Sequence, residues 1–196
     1  MRSGERVLAK TLKQFSPDTP IRFSDAVDAP REQLIAVAKE MGFEGIVAKR
    51  KNSCYEIGKR NGAWLKFKLY RAQPFVIGGY TQGNPFDAII VGYYRDDQFI
   101  FAGKVRNGFV PRLRADVAQR LFGSEIDQCP FCNLPERKRT PWALTREEMK
   151  NCIWVQPSLV AQIEFLEWTV EDQLRQSKFV SLMQDQNPLT VLRDMD

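Results

Sequence analysis

A chain of 196 residues, 43% hydrophobic and 27% charged, is long enough to pack one large domain or two small ones and too apolar to be disordered. It contains no histidine, which excludes Ser-His and Cys-His nucleophile pairs and most zinc sites and leaves carboxylates, lysines or an oxygen-held metal to do any chemistry. The net charge of +5 is uneven: residues 1–72 hold 15 Lys/Arg against 8 Asp/Glu, and residues 73–196 hold 14 against 16.

The first fifteen residues, MRSGERVLAKTLKQF, lack the apolar core of a signal peptide, and no run of eighteen apolar residues follows, so a cytosolic protein is expected. Residues 5–15 predict a short helix with Val7, Leu8, Leu12 and Phe15 on one side. IRFSDAV reads as a short strand. A second helix is expected after it, capped by Asp28 with Pro30 in its first turn. Its apolar stripe is Leu34, Ile35, Val37, Ala38 and Met41, and Gly42 stops it in the left-handed conformation.

FEGIVAKR is a short strand, followed by the turn-rich KNSCYEIGKRNG. WLKFKL then alternates, with Leu65, Phe67 and Leu69 on one face and Trp64, Lys66 and Lys68 on the other. Residues 1–72 read like the tail of something larger, with a boundary near residues 71–74. Beyond it, FVIGGY, AIIVGYYRD, FIFAGKVRNG and LVAQIEFLEWT are strands at short spacing, with one helix near residues 111–122. That pattern predicts a small Greek-key barrel of the OB type over residues 73–196. Residues 123–150 read as a loop-rich connection.

Several groups are candidates for chemistry. Residues 49–71 hold eight positive side chains against the single Glu56, which fits a phosphate-bearing partner or a solvated face. Lys66 and Lys68 lie roughly 7 Å apart on one strand face; alone, they fit a phosphate grip or a wet edge strand equally. Glu44, before Gly45 at the mouth of a strand, fits a metal ligand beside a phosphate or an exposed turn residue. Tyr93, Tyr94 and Phe109 are expected to pack, while Lys104 and Arg106 remain open as nucleic-acid contacts. The cysteines are Cys54, Cys129, Cys132 and Cys152. The Cys129-Pro-Phe-Cys132 pair has no second pair to make a zinc ribbon and lies in a Pro-rich stretch, so inert thiols are expected.

Taken together, four blocks resemble the ATP-dependent DNA ligases, most of all the bacterial ligase-D type used in end joining. They are Phe43-Glu44-Gly45-Ile46-Val47-Ala48-Lys49-Arg50, Trp64-Leu65-Lys66-Phe67-Lys68, Phe75-Val76-Ile77-Gly78-Gly79-Tyr80-Thr81, and Val160 to Phe165 with Glu167-Trp168-Thr169 and Leu174-Arg175. The resemblance implies an α+β chain: the C-terminal part of a nucleotidyltransferase (adenylation) domain, then an OB domain. It implies ATP, carried as AMP, and magnesium or manganese as cofactors, and nicked duplex DNA as partner. By that resemblance Glu44 would position the metal, and Lys66 and Lys68 would contact the adenylate phosphate. From charge, Lys49, Arg50, Lys104 and Arg106 are the candidate nucleic-acid contacts.

Two departures accompany the match. The family's nucleophile motif, Lys-x-Asp-Gly, is absent from this sequence. Its last motif, Arg-x-Asp-Lys, is replaced by Met183-Gln-Asp185-Gln186, in which only Asp185 is kept. A Met cannot neutralise phosphate, and Gln offers a neutral hydrogen bond. The expectation is a chain unable to adenylate itself: a fragment, one half of a split ligase with a separate N-terminal chain, or a decayed paralogue. The competing readings are a non-catalytic DNA-binding OB module and a nucleotidyltransferase acting on RNA.

Overall fold

From residue 71 onward, β-branched and aromatic residues arrive in alternating runs, and strands dominate there. The computed structural model describes residues 3–15, 18–21, 23–54, 56–59, 61–134 and 143–194. The chain divides into two units, Met1–Leu69 and Tyr70–Asp196.

The first unit opens with helix α1 (Ser3–Leu12). Of its apolar side, Leu12 is half-buried, whereas Val7, Leu8 and Phe15 are exposed. The strand expected over residues 21–27 does not form at the described positions, and Arg22 lies outside them. Helix α2 (Arg31–Glu40) starts one residue after Pro30. Asp28 does not cap it. Its carboxylate bonds Lys51 Nζ at 2.6 Å instead, and that ammonium lowers its pKa. Gly42, at φ 66°, ends the helix, and the Phe43 N–H reaches back to the Ala38 carbonyl at 2.8 Å.

Strands β1 (Gly45–Lys49) and β2 (Trp64–Lys68) pair antiparallel, from Gly45 opposite Lys68 to Lys49 opposite Trp64. Gly45 is required by close approach: a Cβ there would stand 2.2 Å from the Phe67 carbonyl oxygen.

The second unit begins with a three-strand meander: β3 (Arg71–Gln82), β4 (Phe86–Arg95) and β5 (Gln98–Val105). Residues 71–74, read from the sequence as a junction, are the start of β3 and pair with residues 162–165. Helix α3 (Pro111–Leu121) follows and buries Val117, Ala118 and Leu121. Then come β6 (Glu125–Ile126), the short α4 (Arg146–Met149) and the long β7 (Cys152–Phe165). A small β8–β9 pair (Glu167–Trp168 with Leu174–Arg175) leads to β10 (Lys178–Met183).

The sheet order is β10-β7-β3-β4-β5. Its two ends meet where Asn107 bridges Lys178 and the Phe179 N–H bonds the Asn107 carbonyl at 2.9 Å. This is the strand order of a Greek-key OB barrel. Gly108 permits the closure, since a Cβ there would lie 2.1 Å from the Phe179 carbonyl oxygen. The inner face is packed with Phe75, Ile77, Ile89, Val91, Tyr93 and Ile163, all buried.

The connection between α3 and β7 holds more order than its composition suggests, although residues 135–142 lie outside the description. Phe131 is 5% exposed and stacks on Phe99 at 4.4 Å between ring centres. Its ring fills the space that side chains at Gly78 and Gly92 would take. Thr145 and Glu148 form a reciprocal capping box at the start of α4.

Candidate phosphate-binding site

The β1–β2 register decides which side chains share a face. Residues directly opposite each other project to the same side, and alternate residues repeat it. Lys66 and Lys68 therefore share a face with Trp64, and across the pair with Gly45, Val47 and Lys49. Ile46, Ala48, Leu65 and Phe67 take the other face, where the Arg31 guanidinium lies 5.3 Å from the Phe67 ring centre.

Glu44 stands just before β1. Its carbonyl accepts the Leu69 N–H at 2.9 Å, which continues the ladder by one pair. Its carboxylate Oε1 accepts from Lys66 Nζ at 2.7 Å. Both side chains remain substantially exposed, at 37% and 51%. Lys49 Nζ lies 4.6 Å above the Trp64 ring, a cation–π contact that the sequence reading missed. The signal was present: Trp64 has the same parity as Lys66 and Lys68. Arg50 follows β1 and donates its backbone N–H to Ala63 at 2.8 Å, while its side chain stays exposed.

One carboxylate and two ammonium groups on this side suit a divalent cation that is bridged to phosphate and holds most of its ligands from water and substrate. Glu44 would be the protein ligand, and Lys66 and Lys68 the phosphate contacts.

The cations of the barrel are engaged within it. Arg106 grips Asp87 Oδ2 through Nε at 2.9 Å and Nη2 at 2.6 Å, with 60% of its side chain exposed. Lys104 is only 13% exposed and donates to Glu148 at 3.3 Å. Burial opposes ionisation of Glu148, but the Thr145 N–H and Lys104 outweigh it and hold the carboxyl below its ordinary range. Tyr93 is buried against Trp168, Tyr94 stacks on Phe99, and Phe109 stacks on Phe179.

Met183 ends β10 opposite Val160 and packs half-buried on the barrel core. Asp185 is exposed beyond it, and Gln186 donates to Thr190 Oγ1 at 3.4 Å.

The thiols of the CxxC pair have separate contacts. Cys129 Sγ contacts the Phe131 carbonyl at 3.8 Å and Cys132 Sγ contacts Gln98 Oε1 at 3.9 Å. Among the described residues, no three His, Cys, Asp or Glu side chains gather as a metal site. Burial pushes the Cys152 thiol up to about 11.

Comparison with known proteins accounts for both units. Residues 5–68 match the family "ATP dependent DNA ligase domain", and residues 82–186 match "ATP dependent DNA ligase C terminal region". The chain belongs to the ATP-dependent DNA ligases. It is 30% identical over 190 residues to the multifunctional non-homologous end joining DNA repair protein LigD of Mycobacterium tuberculosis, covering 94% of this chain and 24% of that protein. The corresponding LigD of Pseudomonas aeruginosa is 28% identical over 187 residues, covering 92% and 21%. The solved ligase domain of M. tuberculosis LigD superposes with a TM-score of 0.58 at 30% identity, over 96% of this chain and 59% of that one. A mycobacterial DNA ligase D complexed with ATP and MES gives 0.56 at 31% identity, over 96% and 58%. This ligase chain thus spans about a quarter of the length of the curated relatives it matches. Its fold is the C-terminal part of an adenylation domain followed by an OB domain. No helix among the described residues is long and apolar enough to cross a membrane.

Proposed function

We propose that this chain is the phosphate-gripping and DNA-binding portion of an ATP-dependent ligase that seals nicks in duplex DNA during end joining in the cytoplasm. The observation that carries the proposal is the β1–β2 face, where Lys66 and Lys68 stand together and Glu44 bonds Lys66. In such a reaction a lysine amine attacks the α-phosphorus of ATP and pyrophosphate leaves. The AMP then passes to the 5′-phosphate at the nick, and the 3′-hydroxyl displaces it as the phosphodiester forms. Lys66 and Lys68 would hold the adenylate phosphate through these transfers, acting as fixed positive charges where negative charge develops. Bound magnesium or manganese supplies neutralisation at the phosphates, with Glu44 as its protein ligand. Lys49, Arg50, Arg106 and Lys104 would contact DNA, although the burial of Lys104 at Glu148 leaves it the least accessible of the four.

The attacking lysine is not in this sequence, so it would come from polypeptide outside the 196 residues, such as a separate N-terminal ligase chain. Incubation with labelled ATP and magnesium is expected to leave the chain unlabelled. Nick sealing is expected once a polypeptide bearing the lysine motif is supplied. A covalent AMP adduct on the chain alone overturns the division of labour.

The position of Met183 favours a second reading. It packs on the barrel core, and the resemblance would put a cation of the family's last motif at this position, a loss that a DNA-binding OB module with no adenylation step would allow. That reading predicts salt-dependent DNA binding with no sealing under any complementation.

A further inference from the structure

The face that carries Lys66 and Lys68 is uneven in height. Along β2 it runs Trp64, Lys66, Lys68, and opposite them on β1 stand Lys49, Val47 and Gly45. The facing side chains thus shrink from a lysine against an indole to a lysine against no side chain at all. The low end lies beside Glu44, whose carbonyl accepts the Leu69 N–H. The high end is aromatic and wet, because Trp64 is 46% exposed. Trp gains more from burial than most residues, yet this one keeps nearly half its surface in water two residues from Lys66.

Two cations of this face are held by groups that a substrate can replace. Lys66 Nζ rests on Glu44 Oε1 at 2.7 Å, and Lys49 Nζ rests over the Trp64 ring at 4.6 Å. A cation–π contact at an exposed site is weak, whereas a phosphate oxygen accepts a charge-assisted hydrogen bond from an ammonium. Lys49 therefore gains by moving from the ring to a phosphate, and the move uncovers the indole. Alternate residues of a strand lie roughly 7 Å apart, so a phosphate held at Lys66 brings an adjoining nucleoside within reach of Trp64. A base inside a duplex is already paired and stacked, and taking it out costs energy. An unpaired base carries no such cost and can lie on the ring.

We propose that Trp64 is a stacking platform for an unpaired DNA base next to the phosphate that Lys66 and Lys68 hold, and that it releases Lys49 to the neighbouring phosphate. This rests on the proposed function and narrows its substrate: strand ends and gaps that leave a base unpaired beside the joining phosphate bind more tightly than a fully paired nick. Every base offers a π-face to the indole, so the preference is for an unpaired structure and not for a sequence.

The test measures binding of the full chain to fluorescently labelled duplexes by anisotropy, over a series of salt concentrations. The probe duplex has a short 5′-phosphorylated overhang, and its control carries the same phosphates on abasic sugars. Wild type is expected to bind the base-bearing overhang at least about fivefold more tightly than the abasic one. Trp64→Leu is expected to erase that difference, and Trp64→Phe to keep most of it, since a phenyl ring also stacks. Lys49→Gln is expected to keep the difference and to lower the slope of log affinity against log salt by about one. Circular dichroism checks that each variant keeps its structure. Equal affinity of wild type for the two duplexes overturns the proposal, and that comparison needs no variant to fold. So does a Trp64→Leu variant that weakens both duplexes alike and keeps the difference, because the ring then serves packing alone. A salt slope unmoved by Lys49→Gln overturns the release of Lys49. If Trp64→Leu abolishes ATP binding by calorimetry and leaves the overhang preference intact, the ring belongs to the nucleotide and the proposal falls. A chain that shows the overhang preference but never seals nicks when the lysine-bearing polypeptide is supplied overturns the proposed function and leaves the platform standing.

Discussion

Lys66 Nζ donates to Glu44 Oε1 at 2.7 Å, across the mouth of the β1–β2 pair. The proposed metal ligand and one proposed phosphate contact thus neutralise each other in the free chain. A cation arriving at Glu44 releases Lys66 for phosphate, so metal and nucleotide are expected to bind cooperatively. In the complemented ligase, Glu44→Gln is predicted to lower nick sealing by about 10²-fold and to raise the magnesium needed for half-maximal rate. The exposed pair contributes less than about 1 kcal/mol to folding. Thermal melting of the variant should therefore match the parent, and unchanged magnesium dependence removes Glu44 from the metal site.

Gly45→Ala tests the strand pair itself. Its Cβ would meet the Phe67 carbonyl at 2.2 Å, and neither backbone can yield without parting the strands. The cost is about 1–3 kcal/mol, enough to open a two-stranded sheet. Hydrogen exchange should show Ile46 and Ala48 amides losing protection while the barrel amides keep theirs. Equal protection in both proteins counts against this geometry.

Much of this arrangement was legible in the sequence. Alternation in Trp64-Leu65-Lys66-Phe67-Lys68 placed both lysines on one face, and the runs from residue 75 onward gave a barrel. The rest failed for physical reasons. Asp28 looked like a helix cap, but a lysine twenty-three residues later took its carboxylate. The start of β3 runs through polar residues, since Arg71 and Gln73 pair with Phe165 and Ile163 of β7, and register, not propensity, sets its length. The pairing of Lys66 with Glu44 depends on reach between side chains twenty-two residues apart, which no local pattern records.

Cys129-Pro-Phe-Cys132 illustrates the same limit. The cysteines drew the eye, but the residue between them is the buried one. Phe131→Ala is predicted to destabilise the barrel by about 3–5 kcal/mol, because a large ring stacked on Phe99 and set against two glycines leaves a cavity that nothing can fill. Cys132→Ser, at an exposed site, should stay within about 0.5 kcal/mol. Chemical denaturation of the two variants checks the contrast, and a larger loss for Cys132→Ser would reassign the role of the motif.

Thiol chemistry offers a pH readout. Burial raises the Cys152 thiol to about 11, so at pH 8 only about one thiol in a thousand is the reactive thiolate. Cys54 and Cys132 are exposed. Alkylation followed by mass spectrometry should modify Cys54 and Cys132 first at pH 8, with Cys152 last and accelerating as pH approaches 11. Early modification of Cys152 would mean that β7 opens at its first residue.

The bridge between Asn107 and Lys178 has a consequence for how the protein is made. β3 leaves the ribosome early, but its partner β7 and the closing strand β10 come some eighty to one hundred residues later. Until residue 179 emerges, Gly108 has no backbone to meet, and the meander stands open with its apolar face and a free edge exposed. The nascent chain must carry that surface from the end of β5 at Val105 until β10 begins at Lys178, so a truncation within β10 should do more harm than its few residues would suggest, by leaving the barrel unable to close.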